Sequence, residues 1–325
     1  MTADQHKIAV IGLGSIGRRH ATNFSALGCR VLGFDSDPQS RETAENLGIE
    51  TCDKRSTTLN AATAAVICSP SGAHLDDLEA SLEAGCHALV EKPLGHELSR
   101  AQALVARATQ DERSVSMGFN LRFHPCVEQA RAALTKGDIG DPVWFRALAA
   151  SHLPDWRPGH DHRQGYANDP VAGGVSMDFT HEIDLAIHLL GHGQLKTAAT
   201  RVTGILGLET EDIADLIVVH DNATHSNIHV DFLTRPAQRM FEIAGTNGFI
   251  RADLITRHYQ RWGADGALQK NQTHPGGFNE DYVNEAQHFL ECLDGATPRC
   301  PASEGLSSLA IALAARNMAE TRTSS

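Results

Sequence analysis

The 325-residue chain is short of positive charge, with 28 Lys and Arg against 40 Asp and Glu, a net −12 with His neutral. It has no long basic run. These two absences exclude nucleic acid and anionic membrane surfaces as main partners. No apolar run approaches the ~20 residues a membrane helix needs, and the polar stretch from Met1 to Lys7 lacks the apolar core of a signal peptide. The seven cysteines (29, 52, 68, 86, 126, 292, 300) contain no C-x-x-C pair, and several sit in apolar segments. A reducing, cytoplasmic location is therefore expected. There is no internal repeat or low-complexity tract, and no G-x-S-x-G or Cys–His signature for acyl transfer. What is present is 41% apolar and 21% charged residues, an ordinary globular composition, over a length that favours two domains.

Lys7-Ile8-Ala9-Val10-Ile11 reads as a buried parallel strand. It runs into Gly12-Leu13-Gly14-Ser15-Ile16-Gly17 and then a helical pattern from Arg18 to Leu27. This is a G-x-G-x-x-G in the context a dinucleotide site requires. Gly12 allows the tight turn, Gly14 lets backbone approach a pyrophosphate, and Gly17 allows close helix–strand packing. The start of the helix at Ser15 and Ile16 supplies N–H groups and partial positive charge to the phosphates. A second strand, Arg30 to Phe34, ends in Asp35, 21 residues beyond Gly14. An acid there meets the adenosine ribose hydroxyls and repels a 2′-phosphate, so NAD is expected over NADP.

Strands near 49–51, 64–68, 87–90 and 114–117 alternate with helices over 38–47, 73–84 and 99–109. That alternation means a doubly wound parallel α/β sheet of Rossmann type. The strand ends Gly12, Asp35, Ser69, Lys92 and Asn120 then line one edge. In Leu89-Val90-Glu91-Lys92-Pro93 the apolar strand stops at an acid and a base, and the proline restricts the residue before it.

These pieces resemble one family. Gly12 to Gly17, Ser69-Pro70 followed by His74, Glu91-Lys92-Pro93 and Gly118-Phe119-Asn120-Leu121-Arg122-Phe123 are similar to the signatures of the glucose–fructose oxidoreductase / inositol dehydrogenase (Gfo/Idh/MocA) family, and the likeness runs through the whole chain. The resemblance implies that Ser69, Pro70, His74, Glu91, Lys92 and Asn120 serve the cofactor half. It places Lys92 beside the nicotinamide, often before a cis peptide bond, and Arg122 on the substrate side.

From Phe123 the character changes, and the expected division is residues 1–122 for NAD and 123–325 for an α+β substrate and oligomerisation domain. A helix over 125–135 and a strand over 143–150 precede a loop over 152–172 without regular periodicity, a length that in a compact domain marks a lid or binding loop. Trp156 and Tyr166 suit stacking on a sugar face, and Arg157 and Arg163 can fork to hydroxyls or an acidic group. The segment also resembles family members of bacterial surface-sugar biosynthesis. Gly173 to Asp184 opens a helix running to Leu190 and resembles the family's second signature, G-G-G-x-x-x-D-x-G-x-H-x-x-D, whose first Asp and His face the substrate. That Asp and His are usually four apart, but Asp178 and His181 are three apart. Counting back from Asp184 selects His181, and counting forward from Asp178 selects Glu182. Positions i, i+3 and i+4 share a helix face, so Asp178, His181 and Glu182 are expected in one cleft, with His181 and Glu182 both open as the base. Strands over 200–206, 213–220, 225–233, 239–244 and 249–254, with a Thr246-Asn247-Gly248 turn, point to one large, mainly antiparallel sheet. Helices over 279–293 and 302–320 close the chain. The resemblance implies a homodimer or homotetramer.

No metal is expected. His220, His225 and His229, His160 with His162, and His188 with His192 all lack a completed ligand spacing. The expected chemistry is hydride transfer between a sugar or polyol secondary alcohol and NAD. That reaction needs a base for the hydroxyl proton and a donor for its oxygen. His181 suits the base, with an ordinary imidazole pKa of about 6.5, Lys92 the donor, and Asp178 a role in orienting His181 or holding a neighbouring hydroxyl. A nucleotide-linked sugar, a redox-neutral sugar reaction on tightly held NAD, and a non-catalytic NAD-responsive regulator are the competing readings.

Overall fold

Lys7–Ile11 (β1) has one exposed residue followed by four buried ones, the pattern of a strand covered on both faces. The computed structural model, which describes residues 6–320, pairs it with Arg30–Phe34 (β2) on one side and Ala64–Ile67 (β4) on the other, both parallel. His87–Glu91 (β5) and Val115–Gly118 (β6) extend the sheet beyond β4, and the short Glu50–Thr51 (β3) extends it beyond β2. The order is β3-β2-β1-β4-β5-β6. The chain reverses its direction of travel between β1 and β4, the switch point where such sheets bind ligands at their carboxyl ends. Helices Ser15–Ala26 (α1), Pro38–Glu45 (α2), Arg55–Asn60 (α3), His74–Glu83 (α4) and Leu98–Gln110 (α5) make the connections.

Two compact units divide the chain. The first runs to Asn120 and takes in Gly277–Leu306, and the second comprises Leu121–Gly276 and the chain from Ser307 on. The expected split at 122/123 has no such return. It occurs because Phe278–Leu293 (α9) carries an inward stripe, with Tyr282, Glu285, Ala286, Phe289 and Leu290 all buried, at the i, i+3, i+4, i+7, i+8 spacing of an amphipathic helix. Ala286, Phe289 and Leu290 join Ile8, Val10, Phe24 and Val66 in one core. Burying a ring such as Phe289 contributes roughly 1.5–3 kcal/mol. The final helix, Ala302–Glu320 (α10), passes from the first unit to the second.

In the second unit, Pro125–Lys136 (α6) is capped by the His124 side chain and ended by Gly137 at φ +72°, a left-handed position glycine takes without strain. Pro142–Ala150 (β7) follows, then three single turns across the irregular loop, and two helices, Val175–Asp178 (α7) and Thr180–Leu190 (α8). The single helix expected there is broken at Phe179 (φ −93°, ψ 36°). Strands Gly193–Arg201 (β8), Ile213–His220 (β9), His225–Asp231 (β10), Gln238–Gly245 (β11), Gly248–Asp253 (β12), His258–Gly263 (β13) and Leu268–Thr273 (β14) form, with β7, a sheet ordered β14-β13-β12-β11-β7-β10-β9-β8. Its neighbours are antiparallel except β7 and β10. The β11–β12 hairpin closes at Gly245 and Gly248, where the turn signal lay. The strand expected over 200–206 is displaced to β8, because Thr203 turns the chain by bonding Asp212 through its N–H at 2.9 Å and its hydroxyl at 2.5 Å.

Candidate functional site

The glycine loop is built for close approach. Gly12 sits at φ +89°, and a Cβ there would lie 2.5 Å from the Ser69 nitrogen; a Cβ on Gly17 would collide with the Gly12 carbonyl. Gly14 differs, since a Cβ there meets nothing within 4 Å, so open space lies over the loop. Gly14 is also the N-cap of α1, which has no capping side-chain bond and no acid in its first turn. The Ser15 and Ile16 end of the helix thus keeps the positive end of its dipole for an anion.

Asp35 follows β2 and turns towards this loop. Its Oδ2 accepts the Leu13 N–H at 2.7 Å and its Oδ1 the Asp37 N–H at 2.9 Å. Ser69 and Asn120 follow β4 and β6, where Ser69 Oγ and Asn120 Nδ2 are buried without a hydrogen-bond partner among the described residues. Buried polar atoms left unpaired are costly, and here they stand on the ligand-binding edge of the sheet. The loop, the helix end, the acid and these orphaned atoms fit a dinucleotide.

His74 and Glu91, expected along the cofactor, turn inward. The His74 ring nitrogens lie 2.7 Å from the Pro93 carbonyl and 2.8 Å from the Ser69 carbonyl, so His74 braces two strand ends together, beside the exposed Pro70. Burial pushes its imidazole pKa down despite those bonds. Glu91 Oε1 lies 2.9 Å from His20 Nε2, and its Oε2 accepts the Lys92 N–H at 3.2 Å. The Lys92–Pro93 peptide bond is cis, and Lys92 is half-buried at the strand end.

In the second unit, Asp178 closes α7 and accepts a hydrogen bond from the Tyr166 hydroxyl at 3.2 Å. Because the helix breaks at Phe179, Asp178 does not share a continuous helix face with His181 and Glu182; those two lie in the first turn of α8. All three are buried. Glu182 accepts two hydrogen bonds from Arg239, at 2.8 and 3.1 Å. Arg122 and Asp184 form a buried pair through Nε at 2.9 Å and Nη2 at 2.5 Å, which draws the Arg122 guanidinium into the interior. Trp156 packs edge-on against Phe179 and Phe232 and donates to Ser151 Oγ. Arg157 lies over the Tyr166 ring, 5.7 Å from its centroid. Arg163 pairs with Asp161, whose carboxyl pKa is held down at about 2 by the guanidinium. Both His220 nitrogens face oxygens of Gly191 and Ser226, and His229 lies between Asp215 and Asp231.

Residues 6–119 match the model of an oxidoreductase family with an NAD-binding Rossmann fold, and residues 127–251 match the Gfo/Idh/MocA C-terminal domain. The chain belongs to the Gfo/Idh/MocA family. This Gfo/Idh/MocA chain is an NAD-binding oxidoreductase. It is 26% identical over 262 residues to the UDP-N-acetylglucosamine 3-dehydrogenase of Acidithiobacillus ferrooxidans, covering 79% of this chain and 78% of that one. It is 26% identical over 340 residues to the inositol 2-dehydrogenase of Rhizobium meliloti, covering 97% and 98%. A levoglucosan dehydrogenase solved with NADH and levoglucosan shares the fold, with a TM-score of 0.87 at 19% identity and 97% of each chain covered.

Three residues of the Gfo/Idh/MocA chain stand out without belonging to any of the motifs read from its sequence. Arg239, 57 residues from Glu182, leaves no local signal. His20 stands three residues after Gly17 on α1. Glu285 is the legible one, a carboxylate placed inside the apolar stripe of α9.

Proposed function

We propose that this NAD-binding oxidoreductase transfers hydride between its cofactor and a secondary alcohol of a sugar, polyol or sugar derivative, with Lys92 and His181 handling the hydroxyl. When bound, NAD supplies the hydride acceptor. His181 takes the hydroxyl proton, without which the carbon losing hydride would be left cationic. The Lys92 ammonium donates a hydrogen bond to the same oxygen. Asp178 holds an adjacent hydroxyl or orients His181, and Tyr166 steadies Asp178 in turn. Trp156, Arg157 and Arg163 bind the sugar. The observation that carries the choice of base is the two-point hold of Arg239 on Glu182, which occupies both oxygens of the rival group. Asp35 recognises the adenosine ribose, so NAD is preferred over NADP.

The test is NADH formation against free sugars, inositols, sugar acids and nucleotide sugars, with Lys92→Met and His181→Ala variants that retain NAD binding. Both variants should lose at least a hundredfold in turnover, the usual scale of a general acid or base; near wild-type turnover in both sinks the assignment. The likeness to a UDP-N-acetylglucosamine 3-dehydrogenase favours a nucleotide-linked sugar as second reading, which a preference for such substrates in the same screen would select. A cytoplasmic homodimer or homotetramer is proposed as well. Its support is the row of Trp144, Phe249 and Trp262 on the large sheet, with Trp144 and Leu268 exposed. Light scattering of the full chain measures the assembly, and a monomer at micromolar concentration rejects it.

A further inference from the structure

Glu285 sits where its helix should be apolar. It is 2% exposed, and neither carboxyl oxygen has a hydrogen-bond partner among the described residues. One of its oxygens lies within 4.8 Å of both a His20 ring nitrogen and a Glu91 oxygen. Glu91 in turn holds the Lys92 N–H and faces His20, and a Cβ on Gly118 would lie 3.0 Å from the Glu91 carboxyl, so little room separates that carboxyl from β6. Two carboxylates this close in a water-poor interior cannot both stay ionised; one keeps its proton, and the other keeps its charge.

We propose that His20 and Glu285 are positioning residues for Lys92: a neutral Glu285 carboxyl lets Glu91 remain a carboxylate, and Glu91, braced by His20, fixes the backbone from which the Lys92 side chain projects. This rests on the role proposed above for Lys92. No bond is made or broken; one proton stays on Glu285. Burial is the main cause that raises the Glu285 carboxyl pKa well above the ordinary carboxylate range, with the charges of Glu91 and Asp281 adding to it. Burial pushes Glu91 the same way, but the His20 bond, the charges of His20 and Lys92 and the Lys92 N–H outweigh it, so Glu91 is lowered. The groups that share this field are His20 on α1, Glu91 and Lys92 at the end of β5, Cys68 after β4, and Asp281 and Glu285 on α9, with His74 of α4 sensing Glu91. Arg19 is turned aside, stacked on Phe278 and Tyr282.

The sign follows from the raised value. A carboxyl whose folded pKa lies above its unfolded one stabilises the fold below the unfolded value and loses that contribution as pH rises through the folded value. Glu285→Gln, a mimic of the neutral acid, should melt higher than wild type at neutral and alkaline pH and show a flatter alkaline fall. Infrared spectra of the full chain at neutral pH should show a protonated carboxyl band in wild type that is missing from Glu285→Gln. The Lys92 amide resonance should keep its position in Glu285→Gln, whereas His20→Ala and Glu285→Ala should move it and speed its hydrogen exchange at least tenfold, with NAD affinity changed less than threefold. No protonated band in wild type, or a Lys92 amide indifferent to both alanine variants, overturns the proposal. So does a divalent ion such as zinc that co-purifies one per chain and is lost in Glu285→Gln, for the two carboxyls would then be ligands. If Lys92→Met keeps wild-type turnover while the infrared and amide results hold, the network stands and the role of Lys92 falls.

Discussion

Arg239 holds Glu182 at two points, with Nε 2.8 Å from one carboxylate oxygen and Nη2 3.1 Å from the other. The Glu182 side chain is 1% exposed and that of Arg239 23%, so the pair is closed on the acid side and wet on the other. Removing one partner of a fully buried pair costs about 3–5 kcal/mol; with Arg239 able to reach water, Glu182→Gln should cost about 2–3 kcal/mol. Urea unfolding measures this. At a pH and temperature where the variant is folded, its pH–rate profile should keep the wild-type midpoint. A displaced midpoint would make Glu182 the base.

Arg122 and Asp184 form the more deeply buried pair, each side chain 1% exposed. Asp184→Asn removes the carboxylate charge that the Arg122 guanidinium faces in the interior and should cost about 3–5 kcal/mol. Adding Arg122→Met should recover part of the loss, since a buried pair replaced by apolar groups is often close to neutral. Melting curves of the two single variants and the double variant give the coupling; additive losses would mean that the pair does not interact.

The glycine loop allows a contrast between two identical substitutions. Gly12→Ala places a Cβ 2.5 Å from a backbone nitrogen at a positive φ, so it should destabilise the chain by more than 2 kcal/mol, combining overpacking with backbone strain. Gly14→Ala meets no protein atom and has φ −63°, and should stay within about 1 kcal/mol of wild type. Its NAD affinity should nevertheless fall at least tenfold, because the methyl fills the open space over the loop. Calorimetric titration with NAD, alongside thermal melts, separates the two effects.

His124 gives the second unit an acid sensitivity. Burial first, then the Arg257 charge, lowers its pKa to about 4. Its Nδ1 accepts the Cys126 N–H at the start of α6, and its Nε2 faces the Leu254 carbonyl at 3.2 Å; protonation would remove the acceptor. A folded pKa below the unfolded value near 6.5 means stability present above pH 6.5 and lost as pH falls through about 4, up to about 3 kcal/mol in total. His124→Asn, which keeps a capping oxygen, should flatten that window in melts between pH 7 and 4. An unchanged acid slope would assign the sensitivity to other groups.

The parallel sheet was legible because buried parallel strands are nearly continuous apolar runs, and the glycines, Asp35 and Glu91-Lys92-Pro93 stand at their ends. The short α3 escaped, since Arg55-Ser56-Thr57-Thr58-Leu59-Asn60 buries only Thr58 and Leu59 and shows little period. The edge strand β14 and its neighbour β13 escaped for a related reason: Leu268 to Thr273 is almost wholly exposed and His258 to Gly263 buries only Tyr259 and Gly263, so no alternation marks them. Asp178, His181 and Glu182 were legible as residues but not as an arrangement. The break at Phe179 and the distant Arg239 decide how they stand, and neither leaves a local trace. Arg122 read as a substrate contact because its motif is local, whereas its partner Asp184 lies 62 residues away.

The return of Gly277–Leu306 to the first unit makes the two units alternate along the chain, with 121–276 interposed between two portions of the first unit and the chain from Ser307 on assigned to the second again. Swapping substrate specificity between relatives by a single crossover near residue 120 would part Phe24 and Val66 from the Phe289 that packs with them, and Glu91 from Glu285. A chimera that exchanges 121–276 as a cassette, with both ends grafted, keeps that core whole. Recombination that preserves cofactor binding should therefore favour paired breakpoints over single ones.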